Sequence, residues 1–140
     1  MAIIGAFTNG YILVNAVDLS DHCDRIVVKT NRAPLNATGM GAINSVWILG
    51  LGDATIEADF FADFAAAKTD QTLWPLQQGA TTFAVEVRPV NAARSVTNPA
   101  YLMTCLLPEY TPIDGKTGDL LNTTVVFVNG AAAGLTRATS

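Results

Sequence analysis

The densest cluster of reactive side chains in this sequence is Asp21-His22-Cys23-Asp24. An imidazole, a thiol and two carboxylates are the groups that bind zinc or run nucleophilic chemistry. Adjacent residues on an extended chain point to opposite faces, so these four do not converge on one ion unaided. The chain has a single histidine, and its second cysteine, Cys105, stands alone far downstream rather than at a zinc-ligand spacing. A Ser-His-Asp or Cys-His device would have to use His22, and no G-x-S-x-G elbow accompanies it. The tetrapeptide is read as an ordinary turn entering a strand.

Other chemistry fares no better. Glu57, Asp59 and Glu86 could supply a carboxylate pair for acid–base work, but each sits on the polar side of an apolar–polar alternation. Gly39-Met40-Gly41 and Gly50-Leu51-Gly52 do not continue as the dinucleotide fingerprint G-x-G-x-x-G. Asn36-Ala37-Thr38 and Asn122-Thr123-Thr124 match the glycosylation acceptor, a chance match in a chain that is not secreted. The expectation is a protein with no catalytic residues, no metal and no cofactor.

Composition points to association instead. At 140 residues the chain is one domain, large enough to bury a core without staples. Charged residues make up only 14% and apolar residues 50%, which leaves more apolar surface than a monomer of this size tolerates and makes self-association the natural outlet. The net charge is −4 and the eight basic residues are scattered, the opposite of a phosphate-binding clamp. Neither a signal-peptide pattern nor an apolar run of membrane-spanning length stands out. Folding in a cytosol, with Cys23 and Cys105 as unpaired strand residues, is the expectation.

The elements that would position these residues are mainly strands. Six segments carry β-branched or alternating patterns: Tyr11-Ile12-Leu13-Val14, residues 25–30, residues 55–60, residues 82–88, residues 101–107 and residues 121–128. In the third, Ile56, Ala58 and Phe60 share one face and Thr55, Glu57 and Asp59 the other. One short helix is expected between Asp70 and Gly79, with Asp70 capping it and Gly79 closing it. Pro75 limits it to about two turns or to a start near Pro75. Leu73, Trp74 and Leu76 are its expected packing residues.

Residues 1–9 and 129–140 read as terminal arms, and residues 108–119 as an extended hairpin loop. Residues 33–52, broken by Pro34, Gly39, Gly41, Gly50 and Gly52, read as a long loop in which no regular strand survives. It carries Leu35, Met40, Ile43, Val46, Trp47, Ile48, Leu49 and Leu51, with no charge from Asn36 to Leu51. Such a loop either folds over its own core or lies on a neighbouring subunit, and its length favours the neighbour. The fold class expected is an antiparallel β-sandwich or half-barrel with one flanking helix.

Four motifs in this order resemble the tail tube proteins of long-tailed bacteriophages, most closely those of actinobacterial phages. They are Val17-Asp18-Leu19-Ser20-Asp21-His22, Asp70-Gln71-Thr72-Leu73-Trp74-Pro75-Leu76, Phe83-Ala84-Val85-Glu86-Val87-Arg88-Pro89-Val90 and Thr97-Asn98-Pro99-Ala100-Tyr101. The resemblance spans nearly the whole chain from Val14. It implies a structural virion subunit whose hexameric rings stack into a tube, with inner sheets joined in a continuous barrel that DNA crosses without specific binding. Its implied partners are further copies of the chain and other tail proteins: terminator, tip or baseplate, and tape measure. Assembly would take place in the bacterial host's cytoplasm.

In this resemblance Thr38-Gly39-Met40-Gly41 falls in the stacking loop, and Leu35, Met40, Ile43, Val46, Trp47 and Leu49 become inter-subunit contacts. The absence of charge there favours apolar packing over salt bridges. Glu57, Asp59 and Glu86 are the carboxylates expected to face the lumen, where negative charge lets DNA slide. Other classes compatible with a sandwich of this kind are a capsid decoration or head–tail connector protein, and a small-ligand binder.

Overall fold

Alternation dictates most of the architecture. In the computed structural model, which describes residues 7–140, every segment with a clear apolar–polar period forms a strand. The strands are β1 (Tyr11–Val14), β2 (Val17–Asp18), β3 (Cys23–Asn36), β4 (Trp47–Phe61), β5 (Phe83–Arg88), β6 (Ala100–Leu106), β7 (Asn122–Asn129) and β8 (Thr136–Ala138). They make one antiparallel sheet in the order β2-β1-β5-β6-β7-β4-β3, with β8 also paired to β6. The protein is mainly β, a half-barrel with one short helix.

β6 and β7 share only Cys105↔Asn129 and Leu106↔Val128, so the sheet turns a corner there and its two halves face each other. Ile12, Val14, Val85, Val87, Met103 and Cys105 pack from one half against Ile56, Ala58, Phe60, Val125 and Phe127 from the other. Phe83 and Phe127 meet edge to face with ring centroids 5.7 Å apart, the arrangement that the ring quadrupole favours.

Helix α1 (Thr69–Gly79) closes the core with Leu73 and Leu76. Several sequence expectations are corrected here. The helix runs through Pro75, accepting the lost N–H bond because its inner face is held by burial. Lys68 is its N-cap residue, without a side-chain cap bond, and Asp70 instead accepts a hydrogen bond from the Tyr110 hydroxyl at 3.0 Å. The left-handed residue that ends it is Ala80 (φ 52°), one past Gly79. Trp74 is 48% exposed, since the position beside Leu73 is turned about 100° around the helix from it.

The ends of the chain also differ from expectation. Residues 136–138 of the expected C-terminal arm are β8, paired to β6 through Ala100↔Ala138 and Leu102↔Thr136. Of the expected N-terminal arm, residues 1–6 lie outside the described residues. Asn9 O accepts the Asn91 N–H at 2.8 Å. The largest correction concerns residues 33–52, where both flanks of the expected loop, residues 33–36 and 47–52, are strand.

Candidate functional site

β3 and β4 are 14 and 15 residues long, and their ladder continues well past the core. Ala54 is the buried β4 residue nearest the tip. Beyond it Arg32↔Gly52, Pro34↔Leu49, Leu35↔Ile48 and Asn36↔Trp47 remain paired. Proline is tolerated because β3 is an edge strand, where a missing N–H on the outer side leaves no partner unsatisfied. The register shifts between Arg32 and Pro34, a bulge at which a Cβ on Gly50 would lie 3.2 Å from Ala33 O. Glycine is therefore the residue that lets the two backbones approach.

Residues 37–46 close the tip with bonds of their own. Thr38 N–H donates to Asn36 Oδ1 (2.9 Å), Val46 N–H to Thr38 Oγ1 (2.8 Å) and Ala37 N–H to Val46 O (2.8 Å). The hairpin is thus an ordered projection, and all six expected contact residues lie on it. Leu35, Met40, Ile43, Val46, Trp47 and Leu49 are exposed together with Ile48 and Leu51. Eight large apolar side chains on one uncharged finger form a surface that water does not stabilise.

The polar face of β3, β4 and β7 is a second feature. Glu57 and Asp59 project from it, as expected, opposite Val27 and Arg25 on β3 and Val126 and Thr124 on β7. Arg25 Nη1 lies 2.8 Å from Glu57 Oε1 and 3.9 Å from Asp59 Oδ2, and Thr124 Oγ1 donates to Asp59 Oδ1 at 2.6 Å. The bond to Glu57 raises the Arg25 pKa. This face is therefore a mixed-charge lattice rather than a bare acidic wall.

Glu86 does not join them and is corrected. It is 6% exposed, with its carboxylate held by Arg88 Nε at 2.5 Å and by Arg94 Nη2. Residues 89–98 fold over it because the Asn98 side chain donates to Val90 O, Ala92 O and Ala93 O while accepting from Val90 N–H. The Glu86–Arg88 spacing placed those two on one strand face. Nothing local in the sequence pointed to Arg94 or to the Asn98 clamp.

The Asp21–Asp24 cluster resolves into a 3-10 turn (Ser20–His22) followed by β3. His22 Nδ1 lies 2.8 Å from Asp21 Oδ1 and Nε2 lies 2.7 Å from Asp63 Oδ2, which pins the turn to the chain that leaves β4. Both bonds favour the imidazolium, the Asp21 bond foremost, and raise the His22 pKa above its ordinary 6.5. Among the described residues no three His, Cys, Asp or Glu side chains converge to hold a metal. Burial pushes the Cys23 thiol up to about 11 and the Cys105 thiol up to about 12, so both stay protonated at neutral pH and neither is an activated nucleophile.

An apolar cleft of about 390 Å³ opens where β3 faces the ends of β5 and β6, lined in part by Ile26, Val28, Val87, Tyr101 and Leu135. Arg88 is its one charged lining residue, and that guanidinium is already stacked 4.6 Å over Tyr11 and bonded to Glu86 and to Ala92 O. A ligand site needs convergent free polar groups, and this cleft offers few. Among the described residues no helix is long and apolar enough to cross a membrane.

No family model matches the chain, and no curated protein matches it. Its fold is shared with solved assemblies. A chain of the virion of a native gene transfer agent (GTA) particle superposes with a TM-score of 0.72, at 10% identity over 93% of this chain and 95% of that one. A chain from the tail of the empty GTA particle, of C6 symmetry, gives 0.66 at 10% identity over 85% and 83%. A chain from the sheath/tube terminator of PVC, an extracellular contractile injection system in its extended state, gives 0.72 at 7% identity over 98% and 97%. At such identities the likeness is one of fold.

Proposed function

We propose that this chain is a structural tail tube subunit of a phage-like particle, with no catalytic role. In this reading copies join into rings, six to a ring, and the rings stack into a conduit through which DNA passes into the host. The observation that carries it is the β3–β4 hairpin, an ordered finger of eight exposed apolar residues projecting from a fold shared with virion, tail and injection-system chains. A monomer has no use for such a finger, and a neighbouring copy does.

Two further features support the reading. No strand among the described residues pairs with the outer edge of β3, so a neighbour's strand can extend the sheet from subunit to subunit. Glu57 and Asp59, on the polar face of the same sheet, are the proposed lumen residues. Their pairing with Arg25 keeps that wall polar without a basic patch that would trap phosphate. The remaining partners are the terminator, tip or baseplate and tape measure proteins of a tail built in the host's cytoplasm, with the closest counterparts in actinobacterial phages.

Negative-stain microscopy of concentrated protein, with light scattering, tests the reading. Rings or filaments of uniform diameter are the expected result. A monodisperse monomer at all concentrations overturns it, and binding to a capsid surface in place of filaments would assign decoration.

A further inference from the structure

The half-barrel is left open along one seam. Among the described residues β3 pairs with β4 alone. Ile26 and Val28, alternate residues on one face of β3, line the 390 Å³ cleft together with Val87, Tyr101 and Leu135. Ile26, Val28 and Leu135 pack against the core and yet are only partly buried. A space of that size holds the volume of roughly a dozen waters, and its apolar walls give them little to bond. Thr30 and Arg88 are the polar side chains of the lining, and the guanidinium is already engaged by Tyr11, Glu86 and Ala92 O. The cleft therefore suits a small, neutral, apolar occupant.

The chain carries such a segment beside it. Phe7 lines the cleft and is half-exposed, and its ring lies over Gly10, where a Cβ would collide with it. The Asn91 N–H bond to Asn9 O holds this stretch against residues 89–98. The residues that run into Phe7 are Met1-Ala2-Ile3-Ile4-Gly5-Ala6, which lie outside the described residues. They bring no charged side chain, the first in the chain being Asp18. Ile4 is three residues from Phe7 and Ile3 four, a reach of roughly 10 to 14 Å. A tether that short gives a local concentration on the order of millimolar, far above what a second copy supplies in dilute solution.

We infer that Ile3 and Ile4 fill this cleft in their own chain, as an intramolecular plug that completes the core beside β3. The expected N-terminal arm is on this inference a part of the domain rather than a link between subunits. The inference concerns the single subunit and is independent of the tube reading.

Two measurements on the whole chain in dilute solution test it. Ile3→Asp with Ile4→Asp should lower the urea midpoint by roughly 1 M, given the burial of two isoleucines and the urea dependence of a small domain. An unchanged midpoint overturns the inference.

The second measurement uses proximity, since a disulfide forms readily only where two Cβ atoms come within about 4.5 Å. Ile4→Cys with Leu135→Cys should, on mild oxidation, give a monomer linked between positions 4 and 135, identified by mass spectrometry. It should form at least ten-fold faster than the link in Ile4→Cys with Val96→Cys, whose second position is exposed on the neighbouring residues 89–98. Linked dimers in place of linked monomers would give the cleft to a second copy, and equal rates at positions 135 and 96 would leave the segment unseated. Either result overturns the inference.

Discussion

Leu35 and Ile48 are direct partners across the β3–β4 ladder, and both are exposed. A regular antiparallel pair of large apolar residues thus stands outside the core that usually justifies one. The hairpin beyond Ala54 contributes no side chain to the core cluster, so the assembly role proposed for it can be tested apart from folding.

Replacing residues 34–50 by Asn-Gly joins Ala33 to Leu51 in the register of Arg32↔Gly52 through a favoured two-residue turn. The shortened protein should keep its β-sheet circular dichroism and unfold within about 0.5 kcal/mol of wild type. It should also lose all filament formation by electron microscopy. Outright unfolding would show that the finger is part of the domain's own stability.

The helix offers a sharp contrast between adjacent residues. Leu73→Ala removes a fully buried side chain and should cost about 2–5 kcal/mol in urea unfolding. Trp74→Ala, at a half-exposed position, should cost less than about 1 kcal/mol. A larger loss at Trp74 would mean that its ring packs on the domain.

Ala80 ends the helix at φ 52°, a conformation that a Cβ disfavours. Ala80→Gly should therefore raise stability by about 0.5–1 kcal/mol even after the entropy that glycine adds to the unfolded chain. A loss of stability would show that the Ala80 methyl makes a contact of more value than the strain.

The His22 bridge sets a pH dependence. Because the folded-state pKa of His22 is raised, its stabilisation is fully present below the ordinary value of 6.5 and is lost as pH rises through the folded value. The Asp21 pKa is lowered chiefly by the His22 bond, and the Asp63 pKa by the Ala65 N–H and then by His22. Their contribution is present above the ordinary 3.8 and fades as pH falls through the lowered values. The Tm difference between wild type and His22→Gln should be largest near pH 5 and shrink toward pH 9. A flat difference would mean that the bridge does not hold the proton.

For the proposed lumen, Glu57→Lys with Asp59→Lys turns a mixed-charge lattice into a basic one around Arg25. Assembled tubes of this variant should retain DNA with a steep salt dependence, as counterion release requires. Equal DNA retention by variant and wild-type tubes at low salt would place these side chains away from the conduit.

Much of this was legible in the sequence, and the misreadings have physical causes. Ile56, Ala58 and Phe60, like Phe83, Val85 and Val87, announce their strands because one face is buried and the period is two. Residues 33–52 did not, because Pro34 and Gly50 look like breakers. On an outer edge the missing proline N–H orphans no partner, and at a bulge the glycine permits close approach. The apolar character of the finger was readable; its continued strand pairing out to Asn36↔Trp47 was not. Glu86 kept its place in the alternation but is covered by residues 89–98, a tertiary event that brings Arg94 from outside the strand. Three-residue β8 is too short to carry a period of its own.

The unbroken course of β4 from Trp47 to Phe61 has a mechanical consequence. A pull on the tip along the strand axis is carried in shear, by β3 along nearly the whole length and by β7 from Thr55 onward, so many backbone bonds must yield at once. A sideways push meets only two strands beyond Asp53, and a lone hairpin bends easily. The finger is therefore stiff in tension and compliant in flexure, the combination that would let a filament of the proposed kind curve without coming apart.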